Sequence, residues 1–159
     1  MSSVRSLLAL GVLLAAVAPV ATAQRIGRIC TDPTHRCAGP FRAFDISFDL
    51  PADEIARASS SSAPFWAVIL RSAPRCGVSA ELASRTQRAF PRRQVFADRF
   101  GCEDEALLSY VGVDTAHAFL AVYAGTSRRD AIVLRDSLRA ARAYPGANVR
   151  RLEAVLHSP

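Results

Sequence analysis

From Phe65 to Val149 the chain carries one segment twice, at a constant offset of 54 residues and with no gap needed to align the copies. Phe65, Ala67, Val68, Arg85, Arg88, Ala89, Pro91 and Val95 recur as Phe119, Ala121, Val122, Arg139, Arg142, Ala143, Pro145 and Val149. Trp66/Leu120, Ser72/Thr126, Phe90/Tyr144 and Gln94/Asn148 are similar pairs. A repeated unit that cannot bury its own apolar face requires a fold in which two units complete one core. The duplication therefore constrains the architecture before any single motif does.

Each copy opens on a short apolar run rich in β-branched and aromatic residues, Phe65 to Leu70 and Phe119 to Ala124, which reads as a buried strand. A helix follows each. Ser127 with Asp130 resembles a capping box, and Ala131, Leu134, Leu138 and Ala141 recur at helical spacing. In the first copy Val78, Leu82, Thr86 and Ala89 lie in another register, so the duplication is weakest at the helix starts. Phe90-Pro91 and Tyr144-Pro145 close the helices, since proline cannot continue one. Strands over Val95 to Phe100 and Val149 to Leu156 complete the order βαββαβ, an α+β, ferredoxin-like sheet with two helices on one face.

Ahead of residue 65 the chain differs in kind. Residues 1–23 have the parts of a secretory signal: Arg5, the apolar run Leu7 to Val20, and the small-x-small site Ala21-Thr22-Ala23, with cleavage expected before Gln24. The run is too short for the ~20 apolar residues that span a bilayer, which argues against a stable membrane span; an uncleaved anchor is the alternative. Within 24–64, Phe41 to Leu50 alternates apolar and polar like a half-buried strand, and Ser59 to Ser62 reads as a linker into a domain over 65–159.

Export to a periplasmic or extracellular compartment makes the four cysteines readable as disulfides. Of three possible pairings, Cys30–Cys37 is favoured by the turn-forming Asp32-Pro33-Thr34 between them, leaving Cys76–Cys102. In a βαββαβ sheet both latter residues follow parallel strands at one edge, within reach of a loop-borne bridge. All 20 basic residues are arginine, and the formal net charge is +6. A basic exported chain suits acidic envelope surfaces; the lack of interleaved aromatic and basic residues and the compartment argue against nucleic acid.

The second copy, with Ala121-Val122-Tyr123-Ala124-Gly125-Thr126-Ser127 ending its strand and a Tyr144-Pro145 turn after an Arg-rich helix, resembles the SPOR domain. That is an envelope module built as a duplicated βαββαβ. The resemblance covers about 95 residues (65–159) and departs from the family's pattern at Tyr123, Ser127 and Arg71. It implies a non-enzymatic protein that binds peptidoglycan glycan strands, or an envelope protein, through an open sheet face. Strand alternation places Trp66, Val68, Leu70, Leu120 and Val122 toward the helices, leaving Phe65, Ala67, Ile69, Arg71, Phe119, Ala121 and Tyr123 opposite. The expected contacts are Phe65, Ile69, Arg71, Phe119 and Tyr123. So apolar a face is equally compatible with a cover formed by Phe41 to Leu50. The alternative function is a secreted inhibitor or regulatory partner of a hydrolase.

Two other clusters carry titratable groups. Cys30, Asp32, His35 and Cys37 have the chemistry of a zinc site, although an oxidising compartment favours the disulfide loop, and neither a metal nor another cofactor is expected. Glu103, Asp104, Glu105, Asp114 and His117 lie in the connection between the copies without the spacing of a calcium loop. A nucleophile elbow and a phosphate loop are both absent from the sequence.

Overall fold

A computed structural model describes residues 27–50, 59–99, 102 and 107–157. The signal-like residues 1–23, Phe100 and the acidic Glu103 to Glu105 lie outside the described residues. The fold is α+β, a curled antiparallel sheet of six strands with two helices. In chain order these are β1 (Ser59–Ser61), β2 (Phe65–Pro74), α1 (Ala80–Ala89), β3 (Val95–Ala97), β4 (Leu108–Val111), β5 (His117–Gly125), α2 (Arg128–Ala140) and β6 (Asn148–His157). The main path runs β1-β6-β2-β5-β3, with β4 also on β6. The long β6 bends from one layer to the next: Asn148 to Leu152 pair with β2, while Glu153 to His157 lie between β1 and β4.

The alternation read from sequence holds along β5 and along β2 as far as Ile69; a bulge between Ile69 and Arg71 then shifts it, so Arg71 pairs with Leu120 and Ala73 is buried on the helix side rather than opposite. Val68, Leu70, Leu120 and Val122 are buried on the helix side with Ala83 and Ala131, and Trp66 packs there in part. Phe65, Ala67, Ile69, Phe119, Ala121 and Tyr123 face the other way. Residues matched by the repeat meet across the structure: Val68 is the cross-strand partner of Val122, and the Phe90 and Tyr144 rings lie 6.2 Å apart.

The face away from the helices is core. Ile46, Phe48, Leu108 and Tyr110 bury it, and Phe41 and Leu50 pack at its margin. Phe96 is central, its ring 5.8 Å from Phe65, 5.3 Å from Tyr110 and 5.9 Å from Phe119. The covering segment is not the expected strand. Its only ladder contact among the described residues is an isolated bridge between Ile29 and Phe48. Phe44 adopts φ +65°, a left-handed conformation costly for a bulky residue, and this breaks the period of two. Phe44 consequently packs on the helix side while Ile46 and Phe48 lie on the other, so the chain wraps the free edge of β3. Ala97 N donates to Phe44 O at 3.0 Å across that edge.

Two strands arise where loops were expected. The serine linker is β1, paired with the end of β6, and it is completed by Ser62, whose N donates to Ala154 O while its Oγ accepts from Ala154 N at 2.9 Å. A serine hydroxyl can stand in for a backbone acceptor, so a low-propensity run pairs because β6 offers an edge. β4 forms in the connection between the copies, its Leu108 and Tyr110 closing the aromatic core.

The caps also differ from expectation. Ser127 is the N-cap of α2 but its side chain makes no cap bond, whereas Ser79 accepts from Leu82 N at the start of α1. α1 closes as read, with Phe90 as its C-cap, but α2 ends at Ala140 with Ala141 as its C-cap, and Arg142 takes φ +54°. Both disulfides join as read, Cys30–Cys37 with Cα atoms 5.6 Å apart and Cys76–Cys102 at 5.2 Å.

One buried side chain ties the cover to the sheet. Gln94, immediately before β3, donates from Nε2 to Cys30 O, and its Oε1 accepts from Ser47 N at 3.3 Å. Replacing Gln94 with leucine strands Ser47 N and Cys30 O in a dry interior, and the cost expected is about 1–3 kcal/mol per unsatisfied group. Urea denaturation of Q94L against wild type measures it. Truncating both Phe119 and Tyr123 to alanine removes ring packing from the covered face, with a loss of about 3–5 kcal/mol expected for the fully buried ring; an unchanged melting temperature would show that the face is open.

Candidate functional site

Four of the five expected contact residues are buried. Phe65, Ile69, Phe119 and Tyr123 are 1%, 5%, 2% and 7% exposed, held under Ile46, Phe48, Leu108 and Tyr110, so they form no open platform. The physical reason is the one that left the alternative standing: a face of this size and apolarity is stable only when dried. Arg71 alone is exposed, but the bulge after Ile69 pairs it with Leu120 on the helix side, so it does not share a face with the other four.

The sheet's exposed concavity lies at one end of that face. A cleft of about 650 Å³, within the range of small-ligand sites, is lined by the loop from Arg28 to His35, by Pro64 and Phe65 at the start of β2, and by Tyr123 to Thr126 at the end of β5. Asp130, in the first turn of α2, closes another side. Phe65 and Tyr123 line the cleft, with ring centroids 5.8 Å apart. Burial raises the Tyr123 phenol above its ordinary value of 10.0, with the Arg93 charge opposing. Gly125 takes φ +105°, and a side chain there would meet nothing; glycine serves the turn out of β5 rather than space.

Local sequence shapes the loop wall. In Asp32-Pro33-Thr34-His35 the aspartate carboxylate accepts from Thr34 N at 2.8 Å and Thr34 Oγ1 at 2.7 Å, an Asx turn that proline favours. His35 Nδ1 sits 3.0 Å from Asp32 Oδ2. These bonds, led by the Thr34 hydroxyl, lower Asp32 to a pKa of about 2. Thr34 Oγ1 also addresses Nδ1, at 2.9 Å. Threonine and aspartate therefore meet the same ring nitrogen, so the imidazole cannot relay a proton from one to the other as a nucleophilic triad requires. The geometry offers hydrogen bonding and charge to a bound polar molecule instead.

Cys30, Cys37 and Asp49 bring their ligand atoms within 4.8 Å of one another. With the sulfurs joined to each other there is no thiolate for zinc, and His35 turns to Asp32. At the other end of the sheet Asp114 and His117 form a second Asp-x-x-His turn, with Nδ1 to Oδ2 at 3.0 Å and Ala116 N donating to Asp114 Oδ1 at 2.9 Å. These bonds lower the Asp114 pKa, the amide of Ala116 contributing most. Arg28 and Thr126 were not singled out from sequence, and Asp130 was read only as a cap; the signal available was a loop following a strand's end and preceding a helix, where ligand groups gather. No family model, curated protein or solved structure matches this chain.

A carboxyl whose folded pKa lies below its unfolded one stabilises the fold above the unfolded value and loses that contribution as pH falls toward the folded one. Asp32 should act in this way between pH 3.8 and about 2. Asp45, whose pKa is raised chiefly by burial, acts oppositely: its contribution is present below 3.8 and is lost as pH rises through the elevated value. Carboxyl-carbon NMR titration should place the Asp32 midpoint near 2 and that of Asp45 above 3.8, and Thr34→Val should move Asp32 upward.

Proposed function

We propose that this chain is an exported, non-enzymatic envelope module that holds a cell-wall glycan strand, or an envelope protein displaying similar polar groups, in the cleft between the Arg28–His35 loop and the ends of β2 and β5. The cleft carries the reading. Its lining brings Phe65 and Tyr123 together with Asp32, Asp130, Thr31, Thr126 and Arg28. Apolar walls with a few placed polar groups are what a hydroxylated, partly charged ligand requires. Two disulfides fit an extracellular or periplasmic location, and among the described residues no helix is long and apolar enough to cross a membrane.

The SPOR-like, ferredoxin-like reading belongs to the same proposal. It draws support from the order β6-β2-β5-β3 with antiparallel neighbours, and from the pairing of β2 with β5. There Val68 faces Val122, and Ala67–Tyr123 is matched by Ile69–Ala121, the register expected of two copies related by a two-fold axis through the first pair. The N-terminal segment and β4 then occupy the face through which the resemblance implies binding, and binding moves to the cleft.

The test is sedimentation of the mature protein with insoluble peptidoglycan sacculi at low salt. Wild type should pellet with the sacculi, and a cleft variant carrying Arg28→Ala and Thr126→Tyr should remain in the supernatant with its melting temperature unchanged. Wild type that stays soluble, or a cleft variant that pellets equally, removes the glycan reading.

A further inference from the structure

The positive charge of the chain is concentrated on one side of the molecule. Residues 80–94 and 127–147, which form α1, α2 and the turns that close them, hold nine arginines against three acids, Glu81, Asp130 and Asp136. That surplus of six equals the formal net charge of the whole chain, +6, because the other eleven arginines are matched by eleven acids. Both helices lie on the same side of the sheet, with Ala83 and Ala131 turned inward. The opposite surface is the outer side of the layer made by β1, β4 and the end of β6. There the residues alternating with buried Leu108, Tyr110, Ala154 and Leu156 are Ser109, Val111, Glu153 and Val155, and no arginine stands among them.

The fold makes little use of these charges. Two of the arginine pairs, Arg85/Arg139 and Arg88/Arg142, recur in the repeat. Arg139 has a structural part, since its Nε donates to Ala147 O at 2.9 Å. At the matching carbonyl of the first copy, Arg93 O, the donor is Gln87 Nε2 at 2.9 Å, so Arg85 is not needed there. Arg85, Arg88, Arg92, Arg129 and Arg142 are all exposed and make no hydrogen bond or ion pair among the described residues. Like charges gathered in this way repel one another, and an anionic partner relieves the repulsion. Apolar groups accompany them. The half-buried rings of Phe90 and Tyr144 lie 6.2 Å apart, with Arg88 and Arg142 each two residues ahead of a ring. One turn of α2 beyond Arg129, Val133 is 59% exposed.

We propose that the helix layer docks peripherally on a bilayer that contains anionic phospholipid. The described clefts are lined by Arg28, Arg36, Arg150 or Arg151 and by none of the nine, so this charge is presented as a surface and fits a partner that is itself a surface. A guanidinium pairs bidentately with phosphate oxygens and keeps its charge at any physiological pH. Val133 supplies an apolar contact at the acyl boundary, as the exposed apolar residues of interfacial helices do. An acidic polymer would answer the arginines and leave Val133 in water. Docking through the helices does not rest on glycan binding in the cleft.

Flotation of the full mature protein with phosphatidylcholine vesicles, with and without phosphatidylglycerol, tests this. Wild type should float with the anionic vesicles at low salt, stay down with phosphatidylcholine alone, and be released as salt screens the contact. At about fivefold per arginine, R85Q/R88Q/R142Q should bind about a hundredfold more weakly while keeping wild-type melting. R28Q/R36Q/R150Q removes the same charge away from the helices and should float as wild type does. The cleft variant Arg28→Ala with Thr126→Tyr should float too, whatever its behaviour with sacculi. Failure of wild type to float, equal weakening by both triple variants, or capture by soluble polyglutamate without binding to vesicles would overturn the assignment.

Discussion

A sheet that is apolar on both faces has to be dried on both, and this requirement organises the molecule. One face of β2 and β5 is covered by α1 and α2, as amphipathic helices normally do. The other carries Phe65, Ile69, Phe119 and Tyr123 around Phe96 and is covered by neither α1 nor α2. The chain solves this with its N-terminal segment and with β4, which turn a flat layer into a curled sheet enclosing a second core. Phe96 joins the parts because its ring touches residues from β2, β4 and β5 at once.

Covering a sheet with irregular chain buries backbone groups that no strand ladder satisfies, and polar side chains have to meet them. Gln94 does so for Cys30 and Ser47. On the far side of β3, Arg99 donates to Ala43 O at 2.6 Å and approaches Asp45 Oδ1 at 3.7 Å, each side chain 12% exposed. Arg42 N donates to Asp45 Oδ2 at 2.8 Å. An ion pair so placed loses much of its Coulombic gain to desolvation, which is why burial dominates the raised Asp45 pKa. Its effect is chiefly positional: it fixes where the cover crosses the edge of β3. Tyr110, fully buried nearby, has its phenol pushed well above 10.0 by the same desolvation and by the Asp45 charge, and it remains a neutral donor and acceptor.

The cleft follows from the cover. Only because the segment around Ile29 and Phe48 bridges across the curl does the Asp32–His35 turn stand against the ends of β2 and β5. The Cys30–Cys37 bridge closes that loop at its base, and the Cys37 amide donates to Ser47 Oγ at 3.3 Å, which ties the wall to the core cover. At the other mouth of the curl the Asp114–His117 turn lines a second, smaller pocket.

Local and periodic information in the sequence determined the strands β2 and β5, the side of the sheet that their residues face up to the bulge after Ile69, the two helices and the turn at Asp32-Pro33-Thr34 that the Cys30–Cys37 bridge closes. Those features depend on alternation, on helical spacing and on short-range hydrogen bonding, which neighbouring residues specify among themselves. Only the tertiary structure decided that Ser59 to Ser61 is a strand, that Leu108 to Val111 is another, and that Phe44 departs from the alternation of Ile46 and Phe48. Each of these follows from an edge or an apolar face supplied by a distant part of the chain. For the same reason Phe65, Ile69, Phe119 and Tyr123 could be assigned to the correct face from sequence while the state of that face could not: alternation fixes where a side chain points until a bulge shifts it, as it does before Arg71, and only packing fixes whether water or Phe48 is there to meet it.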